Sequence, residues 1–184
     1  MAGCNEVLLV RHGETEDNAS RRFQGRLDTE LNDRGRAQSA ALAQAVRGEG
    51  LRALYSSPLL RARETAEIIG AELGLEPVLD ERLMEADSGD WSGRLYAEII
   101  AAQAGAFEAW RAADPAFRFP NGESVAEQAA RVAAALTDVR AGTLPAVVVC
   151  HGGVIRSIKH LGLAIGAVGN CSLYRLPLPD PSAL

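Results

Sequence analysis

The chain has no apolar run approaching the roughly 20 residues needed to cross a bilayer, and no charged n-region with an apolar h-region precedes its first strand-like segment. A helical membrane span is therefore excluded, and a cytoplasmic location is expected. Cysteine is scarce. Cys4, Cys150 and Cys171 are odd in number, widely spaced and free of any CxxC pair, which excludes a zinc ribbon and argues against a disulfide framework. They read as small, reduced, mostly structural thiols. Lysine is almost missing, Lys159 standing alone against eighteen arginines, a bias that reads as coding composition more than function. A net charge of −5 and a pI near 5.3 leave no broad basic face, so neither nucleic acid nor an anionic membrane is expected as a partner. Any anion site must be local. Internal repeats and low-complexity segments are absent as well.

What is present fits one domain over residues 1–184, long enough to bury a substantial core, with the 47% hydrophobic and 23% charged content of an ordinary globular protein. Leu8 to Val10 is an apolar run that stops in Arg11-His12-Gly13, the pattern of a buried strand opening into a turn. Asn32-Asp33-Arg34-Gly35 precedes an alanine-rich helix from Arg36 to Arg47. Leu51 to Tyr55 reads as a second strand, and Ser57-Pro58 as an N-cap with proline at the first position of a helix running to Gly74. Pro77 to Leu79 is a short third strand, and a glycine-bounded loop over Gly89 to Gly93 leads into a helix from Arg94 to Gln103. From Gly105 to Glu123 the chain is least regular, because Pro115 and Pro120 limit helix there, which makes residues 92–123 a candidate lid or substrate cap. Ser124 and Glu127 form a capping box for a helix reaching about Arg140. Ala146 to Cys150 is a fully apolar, β-branched strand ending in His151-Gly152-Gly153. A helix from Val154 to Leu161 and a last strand around Cys171 to Leu176 close the domain. This alternation predicts an α/β fold, three-layer α/β/α with a mostly parallel central sheet.

Two apolar strands that each end in His-Gly would bring His12 and His151 to one edge of a parallel sheet, where ligands of open α/β sheets bind. Arg11 precedes the first histidine, and Arg61 opens a helix at the same edge, beside amides that attract anions. Two guanidiniums, two imidazoles and a helix N-terminus describe a phosphate pocket. The metal reading lacks HxxxH or HxH spacing and a carboxylate flanking either His-Gly. His160 reads as a solvent or helix-neighbour histidine, Cys150 as a packed strand residue, and Trp91 as a packing anchor.

These residues resemble the histidine phosphatase superfamily, also called the phosphoglycerate mutase-like family, over nearly the whole chain. The resemblance rests on Leu9-Val10-Arg11-His12-Gly13-Glu14-Thr15 with Asn18, Arg22-Phe23-Gln24-Gly25 with Asp28 and Leu31, and Tyr55-Ser56-Ser57-Pro58-Leu59 with Arg61-Ala62 and Thr65-Ala66. Arg82-Leu83 with Glu85, and His151-Gly152-Gly153 with Ile155-Arg156, complete it. It implies a phosphoglycerate mutase-like fold and a nucleophilic His12 that takes the phosphoryl group. Arg11, Arg61 and His151 would hold its oxygens, and Glu85 would donate the proton. Asn18 and Gly152 would assist at the phosphate, with Gln24 and Gly25 nearer the substrate body. No metal and no cofactor are implied, since cationic donors around an unprotonated imidazole neutralise charge as magnesium does elsewhere. Glu85 is suited to its role only if burial or a nearby anion raises its pKa.

Ser92 stands where similar phosphatases often carry glutamate, Glu30 replaces a common proline, and Arg21 an ordinarily small residue, departures expected to touch only the substrate rim. Family mutases carry a longer insertion with extra basic residues, whereas here the corresponding stretch offers Arg94, Arg111, Arg118, Arg131 and Arg140. The expectation is a metal-independent phosphomonoester phosphatase acting on a small phosphorylated metabolite. A phosphoglycerate mutase-type phosphotransferase is the alternative, and a non-catalytic phosphate-binding protein the alternative of another class. Sugar phosphates, phosphoglycerate-type esters, α-ribazole phosphate and nucleotides all remain open as substrates, and oligomeric state is not legible.

Overall fold

The computed structural model describes residues 6–159 and 167–176, so Cys4, His160 and the expected helix end at Leu161 lie outside the described residues. Among those described, five strands form one sheet: β1 (Val7–Arg11), β2 (Ala53–Ser56), β3 (Pro77–Leu79), β4 (Ala146–Cys150) and β5 (Leu173–Leu176). Their order is β3-β2-β4-β1-β5, the first four parallel and β5 antiparallel to β1. The continuous apolar character of β1 and β4 follows from this position, because a central parallel strand is covered on both faces.

Side-chain alternation divides the core into two halves. Val7, Leu9, Ala146, Val148 and Cys150 face Val132, Leu136 and Val139 of α5 (Val125–Ala141) and Val154 and Ile155 of α6 (Gly152–Ser157). Leu8, Val10, Val147 and Val149 face Ala43 of α2 (Asp33–Val46) and Ala62, Ala66 and Ile69 of α3 (Leu60–Leu73). The result is the three-layer α/β/α arrangement. α2 starts earlier than its alanine run because the Asn32 side chain accepts the Gly35 N–H at 2.8 Å, and α5 carries the reciprocal Ser124–Glu127 capping box.

Two local expectations are corrected. The N-cap of α3 is Leu59, without a side-chain cap of its own, while Pro58 precedes the helix; a carboxylate from a distant loop, Asp28, accepts the Leu60 N–H at 2.7 Å instead. The helix expected to stop at Gln103 is α4 (Tyr96–Arg111), bent at Gln103 where φ is −147° and ψ 49°, and it continues past Gly105 because Phe107 and Trp110 pack inward. Glycine lowers helix propensity but tertiary burial of aromatics outweighs it.

Residues 88–123 build a second, smaller core with Phe23. It gathers all four phenylalanines, both tryptophans and Tyr96 of the chain. Trp91 is fully buried in it, the anchor its loop suggested, and Phe23 meets Trp91, Tyr96 and Trp110 at centroid distances of 5.0, 4.5 and 4.7 Å in tilted and edge-on geometries.

Leu9 lies at the middle of β1 with 1% of its surface exposed. Leu9→Ala is expected to lower stability by about 2–5 kcal/mol, read as a lower urea midpoint at unaltered slope.

Candidate active site

Register places the histidines side by side. Arg11 pairs with Cys150 across the β1–β4 ladder, so the next residues, His12 and His151, leave adjacent strands at the same level, and their ring centroids stand 5.2 Å apart. β2 ends beside them at Ser56, and Ser57 turns its hydroxyl to His151 Nε2 at 2.8 Å. Ser57 was read from sequence as a helix cap; its main partner is the second histidine.

Hydrogen bonding determines the His12 tautomer. Nδ1 lies 2.7 Å from the Gly13 carbonyl oxygen, which only accepts, and Nε2 lies 3.3 Å from Arg61 Nε, which only donates. Nδ1 therefore carries the proton and Nε2 the lone pair. Burial, followed by the charges of Arg61 and Arg11, holds the His12 pKa well below the ordinary imidazole value despite the Gly13 carbonyl. Burial and the neighbouring cations act on His151 in the same direction. Both rings are neutral at pH 7. The cationic surroundings that would bind an anion thus also keep the imidazole nucleophilic.

Arg61, the second residue of α3, is 1% exposed and anchored by donation to the carbonyls of Leu27 and Gly25, each at 2.8 Å. Burial lowers its pKa to about 10, still charged at pH 7. Gly25 is needed for this contact, since its φ of +52° is left-handed and a Cβ there would meet Ser88 Oγ at 2.1 Å. Arg11 donates from Nη1 to the Val168 carbonyl at 2.7 Å; its Nε and His151 Nδ1 are buried with no protein partner among the described residues. The α3 N-terminus is not a free anion site: the Leu59 N–H goes to Ser57 Oγ and that of Leu60 to Asp28. Arg61 contributes its guanidinium there, not the helix its amides.

Glu85 is held from three directions. Oε1 accepts from the Ala86 N–H and Gln128 Nε2, and Oε2 from the Gly153 N–H, all at 2.9 Å. Arg131 fastens the segment by donating to the carbonyls of Arg82, Met84 and Glu85 while pairing with Glu123 at 2.6 Å. Burial pushes the Glu85 pKa up, but Arg156 and the three hydrogen bonds outweigh it, leaving the carboxyl below its ordinary value. The raised value that sequence reasoning required is not found: Arg156 and the hydrogen bonds outweigh burial. A nearby anion would act on the carboxyl in the upward direction.

A cleft with an empty volume of about 750 Å³, open mouth included, runs past these groups. Eight of the nine residues singled out from sequence line it: Arg11, His12, Asn18, Gln24, Gly25, Arg61, Glu85 and Gly152. His151 is brought to the cluster, its ring centroid 5.2 Å from that of His12, but it is not among the lining residues. Asn18 is oriented by Asn170, which donates to its Oδ1 at 2.9 Å, and Gln24 accepts from Thr29 Oγ1 at 2.6 Å. Missed from sequence were Gln128, Tyr96, Trp110 and Phe119 of the wall, together with Arg22 and Arg156, which the motifs contained without a role. Arg156 was findable from its position one turn beyond His-Gly-Gly; the aromatics had no local signal. Ser92 touches Ser88 of the wall at 2.8 Å, while Glu30 pairs with Arg36 away from the cleft. Arg94, Arg111, Arg118, Arg131 and Arg140 are not among the lining residues, and Arg111, Arg118 and Arg131 are engaged with Glu108, Glu127 and Glu123. Among the described residues no group of three or more His, Cys, Asp or Glu side chains is arranged to hold a metal ion.

A neutral, oriented imidazole facing a cationic cleft at the carboxyl edge of a parallel sheet defines a phosphoryl-transfer protein of the α/β class. Residues 7–178 match the model of the histidine phosphatase superfamily (branch 1), and the chain belongs to that family. It is 37% identical over 188 residues to glucosyl-3-phosphoglycerate phosphatase of Mycolicibacterium vanbaalenii, covering 92% of this chain and 83% of the relative. Phosphoserine phosphatase 1 of Hydrogenobacter thermophilus is 39% identical over 135 residues, 73% of this chain and 64% of its own. Phosphoglycerate mutase-like protein 4 of Arabidopsis thaliana is 42% identical over 159 residues, 83% and 69% of the two chains. A structure of mycobacterial glucosyl-3-phosphoglycerate phosphatase with VO3 superposes with a TM-score of 0.84 at 36% identity, covering 93% of this chain and 92% of that one.

A Cβ at Gly153 would stand 2.2 Å from Glu85 Oε1 and 2.9 Å from its Cδ. Gly153→Ala is therefore expected to displace the carboxyl and lower kcat by roughly 10²-fold, with a much smaller effect on KM, in steady-state phosphate-release assays.

Proposed function

We propose that His12 Nε2 attacks the phosphorus of a small phosphomonoester and that the resulting phosphohistidine is hydrolysed without a metal ion. The observation that carries this is the His12 tautomer, a buried neutral ring whose free nitrogen sits against Arg61 in the cleft that also holds Glu85. The chain is a phosphatase of the histidine phosphatase superfamily, a phosphoric monoester hydrolase whose relatives act on small phosphorylated metabolites. In the first step the N–P bond forms as the ester P–O bond breaks, with Arg11, Arg61 and the Asn18 and Gly152 region around the phosphoryl oxygens. Glu85 delivers a proton to the leaving alkoxide. In the second step water attacks phosphorus, Glu85 takes its proton, and the N–P bond breaks, returning the lone pair to Nε2. His151, beside His12, holds a phosphoryl oxygen together with Arg11 and Arg61, and Gln24 and Gly25 border the substrate body. Residues 92–123 serve as the cap, their aromatic core walling the cleft.

The mutase alternative needs a second cationic grip while the intermediate waits. The arginines of the corresponding stretch are outside the cleft, so that stretch does not add the basic lining a mutase insertion would bring, which favours release of phosphate. By analogy with the relatives, esters of the phosphoglycerate and phosphoserine type are the substrates to try first.

Rapid quenching with labelled substrate is expected to trap an acid-labile, alkali-stable phosphohistidine, absent in His12→Ala, whose turnover should fall by more than roughly 10³-fold. Chelator should leave the wild-type rate in place; loss restored by zinc or manganese would overturn the metal-free mechanism. The pH dependence has a definite sign. His12 and Glu85 are both unprotonated in the free enzyme at neutral pH, so the leaving-group proton arrives with the substrate monoanion. kcat/KM is expected to decline as pH rises past the second phosphate pKa, about 6. Its limb should move with the pKa of the ester used.

A further inference from the structure

Four arginines line the cleft, and three of them are tied down. Arg61 donates to His12 and two carbonyls, Arg11 to the Val168 carbonyl, and Arg22 to the Gly93 carbonyl at 2.9 Å. Arg156 is different. Its guanidinium carbon lies 4.7 Å above the Trp110 ring, and among the described residues its nitrogens have no hydrogen bond and no carboxylate within ion-pair reach. Stacking occupies the flat face of a guanidinium and leaves the in-plane N–H fork directed outward, the geometry that accepts a carboxylate through two parallel bonds. The field of this group reaches Glu85, Arg11 and Tyr96, so the fork stands close to the reacting end of the cleft, between the sheet edge and the cap.

We infer that Arg156 is a specificity-determining residue that binds a carboxylate of the substrate, so that the cleft prefers phosphate monoesters of hydroxy acids to esters lacking a second anionic group. Arg11 and Arg61 already surround the position of the phosphoryl group, so the Arg156 fork is available for a further anion on the same molecule. Arg156 is half-buried and, among the described residues, meets Glu85 only beyond ion-pair distance, so a ligand carboxylate offsets its desolvation. This rests on the phosphatase reading above. The substrates named for two relatives, glucosyl-3-phosphoglycerate and phosphoserine, share a carboxylate two carbons from the phosphate-bearing carbon. Trp110 belongs to the cap and Arg156 to α6, so this contact also joins the specificity element to the segment that begins at His151 and Gly152.

The test uses 3-phosphoglycerate and glycerol 3-phosphate, which share a three-carbon skeleton but differ in carboxylate against hydroxymethyl at the far carbon. In the wild type kcat/KM should favour 3-phosphoglycerate. Arg156→Gln should lower that value by roughly 10–100-fold, chiefly through KM, while the loss with glycerol 3-phosphate stays several-fold smaller. Arg156→Lys should recover part of the preference, since it keeps the charge without the fork. Equal losses on both esters would reduce Arg156 to a positioning residue for Glu85, and a wild type indifferent to the carboxylate would overturn the assignment outright. If no ester is turned over, the reaction reading fails separately. The same two esters titrated calorimetrically into His12→Ala and His12→Ala/Arg156→Gln then decide the carboxylate contact, with equal affinities in both proteins counting against it.

Discussion

The in-register parallel pairing of β1 with β4 is the constraint on which the site depends. Arg11 opposite Cys150 means that each chain leaves the sheet at the same height, one residue before its histidine. A one-residue slip would reverse the face of every side chain and separate the two rings. The register is held by burial on both sides, with Val7, Leu9, Val148 and Cys150 against α5 and α6, and Leu8, Val10, Val147 and Val149 against α2 and α3. The energy of the core is thus what positions the chemistry, through the backbone more than through any contact to the histidines themselves.

Electrostatics then follows from enclosure. Burial and then the charges of Arg61 and Arg11 hold His12 neutral, and Arg156 with a ring of donors holds Glu85 ionised, so the site carries positive charge at its phosphoryl end and no spare proton. The negative charge of a phosphate ester acts on the neighbouring carboxyl in the opposite direction to Arg156, which favours protonated Glu85 when there is a leaving group to protonate. Arg131 serves this arrangement without entering the cleft, by holding three consecutive-region carbonyls around Glu85.

The aromatic core of residues 88–123 is distinct in kind from the sheet core. The main sheet packs valine and leucine from regular strands against its helices, whereas the cap gathers nearly all the aromatics of the chain around irregular backbone and a bent α4. Large rings bury much area per residue and tolerate varied geometry, which lets a segment interrupted by Pro115 and Pro120 still form a wall. Phe23, from the segment after β1, packs into the cap core, and Arg156 of α6 meets the cap at Trp110.

Continuous apolar runs, capping residues and the two His-Gly endings are local properties, so the sequence by itself determined the α/β class, nearly all the elements and the approach of Arg11, His12, Arg61 and His151 to one edge, while Glu85 was legible only through the family resemblance. Local chemistry also decided that Ser124 caps α5 and that Trp91 packs inward. Tertiary structure decided what no spacing encodes. Asp28 caps α3 across 32 residues, freeing Ser57 for His151; Gln128, Gly153 and Arg156 converge on Glu85 and keep it ionised; and α4 runs on through Gly105 because distant aromatics bury its inner face. Each of these joins residues far apart in the chain, and their energies exist only once β1 and β4 have brought those segments to one edge.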